Sequence, residues 1–300
     1  MGVYGVLVLI FVGCLIFVPN FGSPENVRNL GQHSVALGLV AIGQTFVIIA
    51  ASLDLSVGVS ISAMAVLASL MMDGRTSMML PTVLMVIGFG TFVGLINGLI
   101  IAKLRVNPFI ATLGTWLILQ GFLFSRFDNF AGGVPREFEY LGYGHIGPVP
   151  VGVIMFFLVA AGGQLLLSKT RFGYHLFGIG GNQQVSRLSG VRTARTMIIA
   201  HVLCGLGAAL TAIFIVSRLR AGAPWVGETY TLDSIAAVVV GGAPLSGGIG
   251  SITGTVAGVL IFSILNNIFN ILNIGAFAQL VIRGIILISV VAFYSFRLRK

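Results

Sequence analysis

The chain has 300 residues, 57% of them hydrophobic and only 8% charged, with a formal net charge of +9. Soluble domains carry about a quarter charged residues, so these proportions exclude a water-soluble fold of this length, which would lack the charge to cover its surface. A mean hydropathy of +1.04 excludes a disordered chain, and two cysteines are too few for a disulfide-stapled secreted scaffold.

The first apolar run starts at Gly2 with no basic segment ahead of it. It ends at Val18-Pro19-Asn20 with no small-x-small cleavage site, so it reads as a retained span and not a signal peptide. A helix needs about 20 apolar residues to cross a bilayer. Ten such stretches follow, near 2–18, 34–51, 55–72, 78–102, 107–125, 149–167, 196–217, 231–247, 252–272 and 278–296. Only helices or closed barrels satisfy their backbone in hydrocarbon, and runs such as Val151–Leu167 lack the alternation of barrel strands. The expected fold is therefore all-α and polytopic, one transmembrane domain over 1–300. Cys14 and Cys204 lie inside apolar runs and read as packing residues.

Ten spans put both termini on one side, and the cations choose the side. One set of loops holds Lys103, Arg105, Lys169, Arg171, Arg187, Arg192, Arg195, Arg297, Arg299 and Lys300. The other holds Arg28, Arg75, Arg126, Arg136, Arg218 and Arg220, matched by Glu25, Asp73, Asp128, Glu137, Glu139 and Glu228. The first set is expected to be cytoplasmic, with both termini. The basic excess is thus an orientation signal and not a sign of nucleic-acid binding.

Two connecting segments are long. Arg126–Pro148, external, reads as a lid or a docking surface. Ser168–Arg195, internal, is the most polar stretch of the chain; it reads either as a solvated basic loop or as a docking element for a cytoplasmic partner. Glycines recur at four-residue spacing at Gly90, Gly94 and Gly98 and again at Gly250, Gly254 and Gly258, a pattern that lets helices approach closely in lipid. The stripes fall in spans four and nine, and Asp54 and Asp233 at the starts of spans three and eight. Those positions match if the chain is two five-helix repeats, about 1–148 and 149–300. An odd number of spans per repeat inverts the copies, an arrangement that characterises transport folds.

The chain has no G-x-S-x-G elbow, no H-E-x-x-H and no Cys/His cluster at metal spacing, and its histidines at 33, 145, 175 and 201 are scattered. Enzyme chemistry, a bound metal and a bound cofactor are not expected. Gly142-x-Gly144-x-x-Gly147 matches a dinucleotide fingerprint only as a string, outside any strand-turn-helix context. No Gly-Lys dipeptide occurs, so there is no P-loop, and an ATP-driven engine would have to be a separate subunit.

Ionisable groups within spans cost about 2.5–3.5 kcal/mol at the helix centre, so Asp54, Asp233 and Arg283 need reasons. Asp54 and Asp233 read as helix caps or as substrate groups, and Arg283 as a buried partner or a snorkelling cation. Asn97, Asn107, Gln120, Asn266, Asn267 and Asn270 are amides that serve either as interhelical glue or as contacts for a polar solute.

Four motifs occur in order: Asp54-Leu55-Ser56-Val57-Gly58; Asn107-Pro108-Phe109-Ile110-Ala111-Thr112-Leu113-Gly114; Gly178-Ile179-Gly180-Gly181-Asn182 leading to Arg187-Leu188-Ser189-Gly190; and Gly241 through Ser251 with Thr253-Gly254-Thr255. Over about residues 34–295 the chain resembles the membrane permease subunits of bacterial ABC importers for ribose, other simple sugars and autoinducer-2. It fits the related branched-chain amino-acid permeases less well. The resemblance implies a dimeric translocation path in the inner membrane formed with a second permease, identical or related. It also implies two cytoplasmic ATPase domains that carry ATP and magnesium, and a periplasmic solute-binding protein. It further implies that Gly180, Gly181, Asn182, Arg187, Leu188, Ser189 and Gly190 form the element that couples to the ATPase. For the path, residue type points to the amides with Trp116 and Phe122. The alternatives are a permease of this fold for autoinducer-2, a nucleoside or a branched-chain amino acid, and an ion-coupled secondary carrier using Asp54 or Asp233.

Overall fold

The computed structural model describes residues 2–298; Arg299 and Lys300, two of the cations counted above, lie outside the described residues. In chain order the helices are α1 (Val3–Phe17), α2 (Pro24–Ile49), α3 (Val57–Met72), α4 (Met79–Lys103), α5 (Pro108–Phe124), α6 (Tyr140–Tyr143), α7 (Val151–Lys169), α8 (Arg171–Gly181), α9 (Gln183–Leu188), α10 (Thr193–Leu219), α11 (Glu228–Val240), α12 (Ile252–Ile271) and α13 (Ala276–Leu298). A two-residue hairpin, β1 (His145–Ile146) with β2 (Val149–Pro150), follows α6.

Each expected span contains one helix, and local chemistry explains where several of them begin. Ser23 accepts from the Asn26 N–H ahead of Pro24, Asn107 from the Phe109 N–H ahead of Pro108, and Ser251 from the Gly254 N–H. Among the described residues five helices are long and apolar enough to cross a membrane: α2, α4 with the short turn before it, α7, α10 and α12. The eighth span differs from expectation. It starts at Glu228 and stops at Val240, and residues 241–251 are a glycine-rich turn with positive φ at Gly242, Gly247, Gly248 and Gly250. These conformations suit glycine, so an apolar composition there does not extend the helix.

The bundle is built around α2 and α10. α2 is buried from Ser34 to Ile49, and α10 packs on it through Gly43 against Cys204 and Gly207 against Leu39. α4 closes on the other side of α10, with Gly90 at Gly205, Gly94 at His201 and Gly98 at Ile198. In α12, Gly254 and Gly258 meet Gly241 and Ala237 of the α11 segment. The two glycine stripes thus face different neighbours, and Gly250 belongs to the turn before α12, not to a helical stripe. Cys14 and Cys204 are both buried, as expected of packing residues.

The ends of the bundle differ in character. One carries α8, α9, the C-terminal ends of α4 and α7 and the N-terminal ends of α10 and α12; Gln164 of α7 there accepts from the Ile252 N–H, and Gly248 N–H donates to Ile49 O. At the other end residues 126–150 are stitched onto the C-terminal ends of α3 and α10. Ala131 and Gly222 exchange backbone hydrogen bonds, Ser69 Oγ donates to Ala131 O at 2.6 Å, and Arg220 pairs with Glu139 at 2.7 Å.

Where backbones touch, a methyl group has no room. Gly94→Ala or Gly205→Ala is expected to destabilise the solubilised protein by about 1–3 kcal/mol, the range for overpacking. Gly88→Ala in α4, with open space around it, is expected to be neutral or stabilising by up to about 1 kcal/mol. Thermal unfolding in detergent checks the contrast.

Candidate functional site

Three groups of polar residues stand out. The first closes the break between α2 and α3. Asp54 is buried, and its Oδ1 accepts from the Ser56 N–H at 2.9 Å and the Ser56 hydroxyl at 2.6 Å. Its Oδ2 accepts from Asn97 Nδ2 of α4 at 3.1 Å and faces His201 Nδ1 of α10 at 3.5 Å. His201 Nε2 lies 3.0 Å from Ser52 Oγ, and Thr115 of α5 donates to Asn97 Oδ1 at 2.6 Å. If Nδ1 donates to the carboxylate, Nε2 is left to accept from Ser52. Gln44 Nε2 donates to Asp54 O. Asp54 is therefore not the residue that flanks α3, a place held by Ser56; it folds the turn ahead of the helix and ties the break to α4 and α10.

The second group lies among α11, α12 and α13. Asp233 sits inside α11 and does not cap it, contrary to expectation, because the helix starts five residues earlier at Glu228. Its Oδ2 accepts from Arg283 Nη1 of α13 at 3.1 Å, and Arg283 Nη2 donates to Asn266 Oδ1 of α12 at 2.7 Å. Arg283 thus has a buried partner within the membrane-spanning region, as one of the two sequence readings held. Asp54 and Asp233 occupy unlike positions, one in a turn and one in a helix.

Close to this group the starts of two short helices cross. Gly58 at the start of α3 and Gly227 ahead of α11 touch backbone to backbone. Gly58 N–H donates to Thr231 Oγ1 at 3.1 Å, and Gly227 N–H donates to Ser62 Oγ at 2.9 Å. A side chain at either glycine would separate the helices, which is the physical role of Gly58.

The third group is the segment expected as a polar loop, which proves to be two helices. α8 starts with Thr170 accepting from Gly173 N–H, and α9 with Asn182 accepting from the N–H groups of Gln184 and Val185. Gly180 lies against Ile49 O and Gly248, Gly181 is open, and Gly190 has φ +83. Arg187, Leu188 and Ser189 are exposed, Leu188 at 86%. Beside them is a cleft of about 1230 Å³ lined by Lys103, Arg105, Arg187, Arg192 and Arg195, and by no acidic residue.

The amides separate by environment. Asn97 is fully buried and committed to Asp54, Ser56 and Thr115. Asn107 begins α5 and lines the basic cleft, so it belongs to one end of the bundle and not to its interior. Asn267 and Asn26 bond reciprocally at 3.1 and 2.6 Å, joining α12 to α2, which makes Asn267 interhelical glue. Asn266 holds Arg283, and its Nδ2 has no partner among the described residues. Trp116 packs with Val59, Val66 and Leu123, Gln120 is half-buried, Phe122 is 65% exposed and Asn270 is exposed. Ser52, Ser56, Thr115 and His201 were not singled out by their sequence context. A histidine inside the apolar run of α10 was the available signal, since an ionisable group in a span needs a partner.

A bundle of apolar helices, five of them among the described residues long enough to cross a bilayer, defines an integral membrane protein. Its sequence places it more closely: the family model for the permease component of branched-chain amino acid transport systems matches residues 27–291, and the chain belongs to that family. It is 39% identical to the L-arabinose transport system permease protein of Escherichia coli K12, over 98% of this chain and 90% of that one. It is 38% identical to the ribose import permease protein of Bacillus subtilis, over 96% and 89%. It is 32% identical to the galactose/methyl galactoside import permease protein of E. coli K12, over 99% and 94%. No solved structure matches the chain.

Removing one member of a closed polar network leaves the others unpaired. Asp54→Ala is expected to cost about 3–5 kcal/mol, as for other broken buried pairs. Against His201→Ala in a double-mutant cycle it should show coupling of about 0.5–3 kcal/mol, read from unfolding in detergent.

Proposed function

We propose that the chain is the membrane-spanning permease subunit of an ATP-driven importer of a simple sugar, and that α8 and α9 are its seat for a separate ATPase. The observation that carries the coupling assignment is the α8–α9 unit. It joins a projecting Leu188, a glycine fixed against the α2 end and a cleft with five cations to the start of α10. The apolar tip suits a groove, and the cations suit an acidic rim. The sugar assignment is supported by relatives named for arabinose, ribose and galactose, in a family whose model bears the name of branched-chain amino acid transport.

In this reading the α8–α9 end and both termini face the cytoplasm of a bacterial inner membrane. ATP and magnesium belong to the ATPase. A second permease, identical or related, completes the path, and a periplasmic binding protein delivers solute at the end covered by residues 126–150. ATP-driven closure of the ATPases moves α8 and α9, and α10, joined to α9 by a short turn, tilts against α2 and α4 to switch access. The ion-coupled carrier loses Asp54, both of whose oxygens are taken up by protein donors, which leaves Asp233 as its one candidate; such a carrier would transport without any ATPase.

Co-purification of the solubilised chain with its host's candidate ATPase tests the coupling step. The unaltered chain is expected to retain the ATPase, and the Gly181→Arg/Arg187→Glu variant to lose it while keeping the same unfolding temperature. An unaltered chain that retains no ATPase, or a variant that still binds it, overturns the assignment.

A further inference from the structure

The two buried ionic groups differ in one respect that bears on solute. Around Asp54 every polar atom of the carboxylate, of Asn97 and of the His201 ring has a protein partner. That network is closed, and nothing in it is free to bind. Around Asp233 the accounting does not close. Among the described residues Arg283 Nε is buried with no partner, and neither Asp233 Oδ1 nor Asn266 Nδ2 has a hydrogen bond. An unsatisfied polar group in hydrocarbon is expensive, so a group of this kind is kept for a partner that comes and goes.

The placement fits solute as well. Arg283 is seven residues into α13 and Asn266 five residues from the end of α12. At 1.5 Å per residue, both lie about 8–10 Å below the end of the bundle that carries residues 126–150. The side chains of Asp233 and Arg283 keep 11% and 18% of their exposure. Both side chains thus keep part of their surface open, and a shift of the Arg283 side chain would uncover its buried Nε. Tyr230 precedes Asp233 by three residues on α11, so the two share a helix face.

We propose that Asp233, Arg283 and Asn266, with the ring of Tyr230 beside them, form the contact site for the transported polyol inside the permease; this rests on the sugar-import reading above. The pair carries no net charge, which suits a neutral solute. Adjacent hydroxyls of a sugar donate to Asp233 Oδ1 and accept from Asn266 Nδ2 and Arg283 Nε, and the aromatic ring covers the apolar C–H face. A purely structural ion pair needs only the charges. A solute site needs the free acceptor on α11 and the free donors on α12 and α13, so exchanging the charges separates the two.

The experiment is uptake of radiolabelled L-arabinose, D-ribose and D-galactose, with leucine as the contrasting probe. It uses vesicles holding the permease with its ATPase and binding protein. The charge-exchanged variant Asp233→Arg/Arg283→Asp is expected to assemble with its ATPase and binding protein, yet to import sugar at least about tenfold more slowly, as for loss of hydrogen bonds to charged groups. Asn266→Ala, which keeps the ion pair, is expected to change the ratio of rates among the three sugars. Full transport by the exchanged pair, or a uniform fall across the three sugars in Asn266→Ala with an equal fall in ATP hydrolysis, overturns the site. If the exchanged variant fails to assemble, Asn266→Ala decides by the same criterion. Import of leucine and of no sugar by the unaltered complex instead overturns the sugar reading, and the proposal with it.

Discussion

Hydrocarbon supplies no water, so every interruption of a helix within the bundle has to be satisfied by protein. The break between α2 and α3 is the most demanding case. Its backbone is met piece by piece: Ala51 and Ser52 N–H groups turn back onto Ile48 and Val47, Gln44 takes the Asp54 carbonyl, and the Asp54 side chain takes the Ser56 N–H. The carboxylate then needs its own partners, which Asn97 and His201 provide. α4 and α10 are fixed relative to the break by this requirement, and the glycine contacts between them make the distances possible. Gly94 lies against His201 O, so the close approach of α4 and the delivery of the imidazole to Asp54 are one packing event.

This arrangement makes α10 the element through which the two ends communicate. Its first residues adjoin α9 and the basic cleft, and His201 stands eight residues further in, about 12 Å along the axis. Any displacement of the α8–α9 unit that tilts α10 must strain or carry along the Asp54 network. α5 follows through Thr115 and Asn97. The bundle is therefore stiff along this line, while α11, thirteen residues long, meets α3 through two glycines and a pair of hydroxyls. That junction itself holds no ionic contact.

Much of this was legible in the sequence, and the exceptions have physical causes. A helix falls in each of the ten apolar stretches because hydrocarbon imposes length and composition together, and among the described residues five of these helices are long and apolar enough to cross a membrane. The eighth was overrun because Gly241–Gly250 is as apolar as a helix but turns through positive φ, which hydropathy does not register. Gly90, Gly94 and Gly98 all lie against α10, whereas Gly250 shares the four-residue spacing but belongs to a turn. Arg283 announced itself as a charge in a span. His201 carried the same signal more weakly, and its partnership with Asp54, 147 residues away, follows only from the fold. The amides could not be sorted from residue type, because Asn266 and Asn267 are adjacent in sequence yet point to different helices, α13 and α2.

The contrast between the two buried acids shows how a membrane protein divides its polar groups. A carboxylate in hydrocarbon is tolerated when its oxygens are filled, and Asp54 is filled from four directions. Its value is geometric: it fixes where α3 begins. Among the described residues Asp233 is filled on one oxygen only, beside a guanidinium with a free N–H and an amide with a free NH₂. Such a group lowers its energy when a hydroxyl-bearing molecule occupies it and raises it again when that molecule leaves. A path through a membrane requires this, since a site that binds too completely would hold its solute, and one with no free polar atoms would not admit it. Scaffold and path are thus distinguished by which hydrogen bonds the protein leaves unmade.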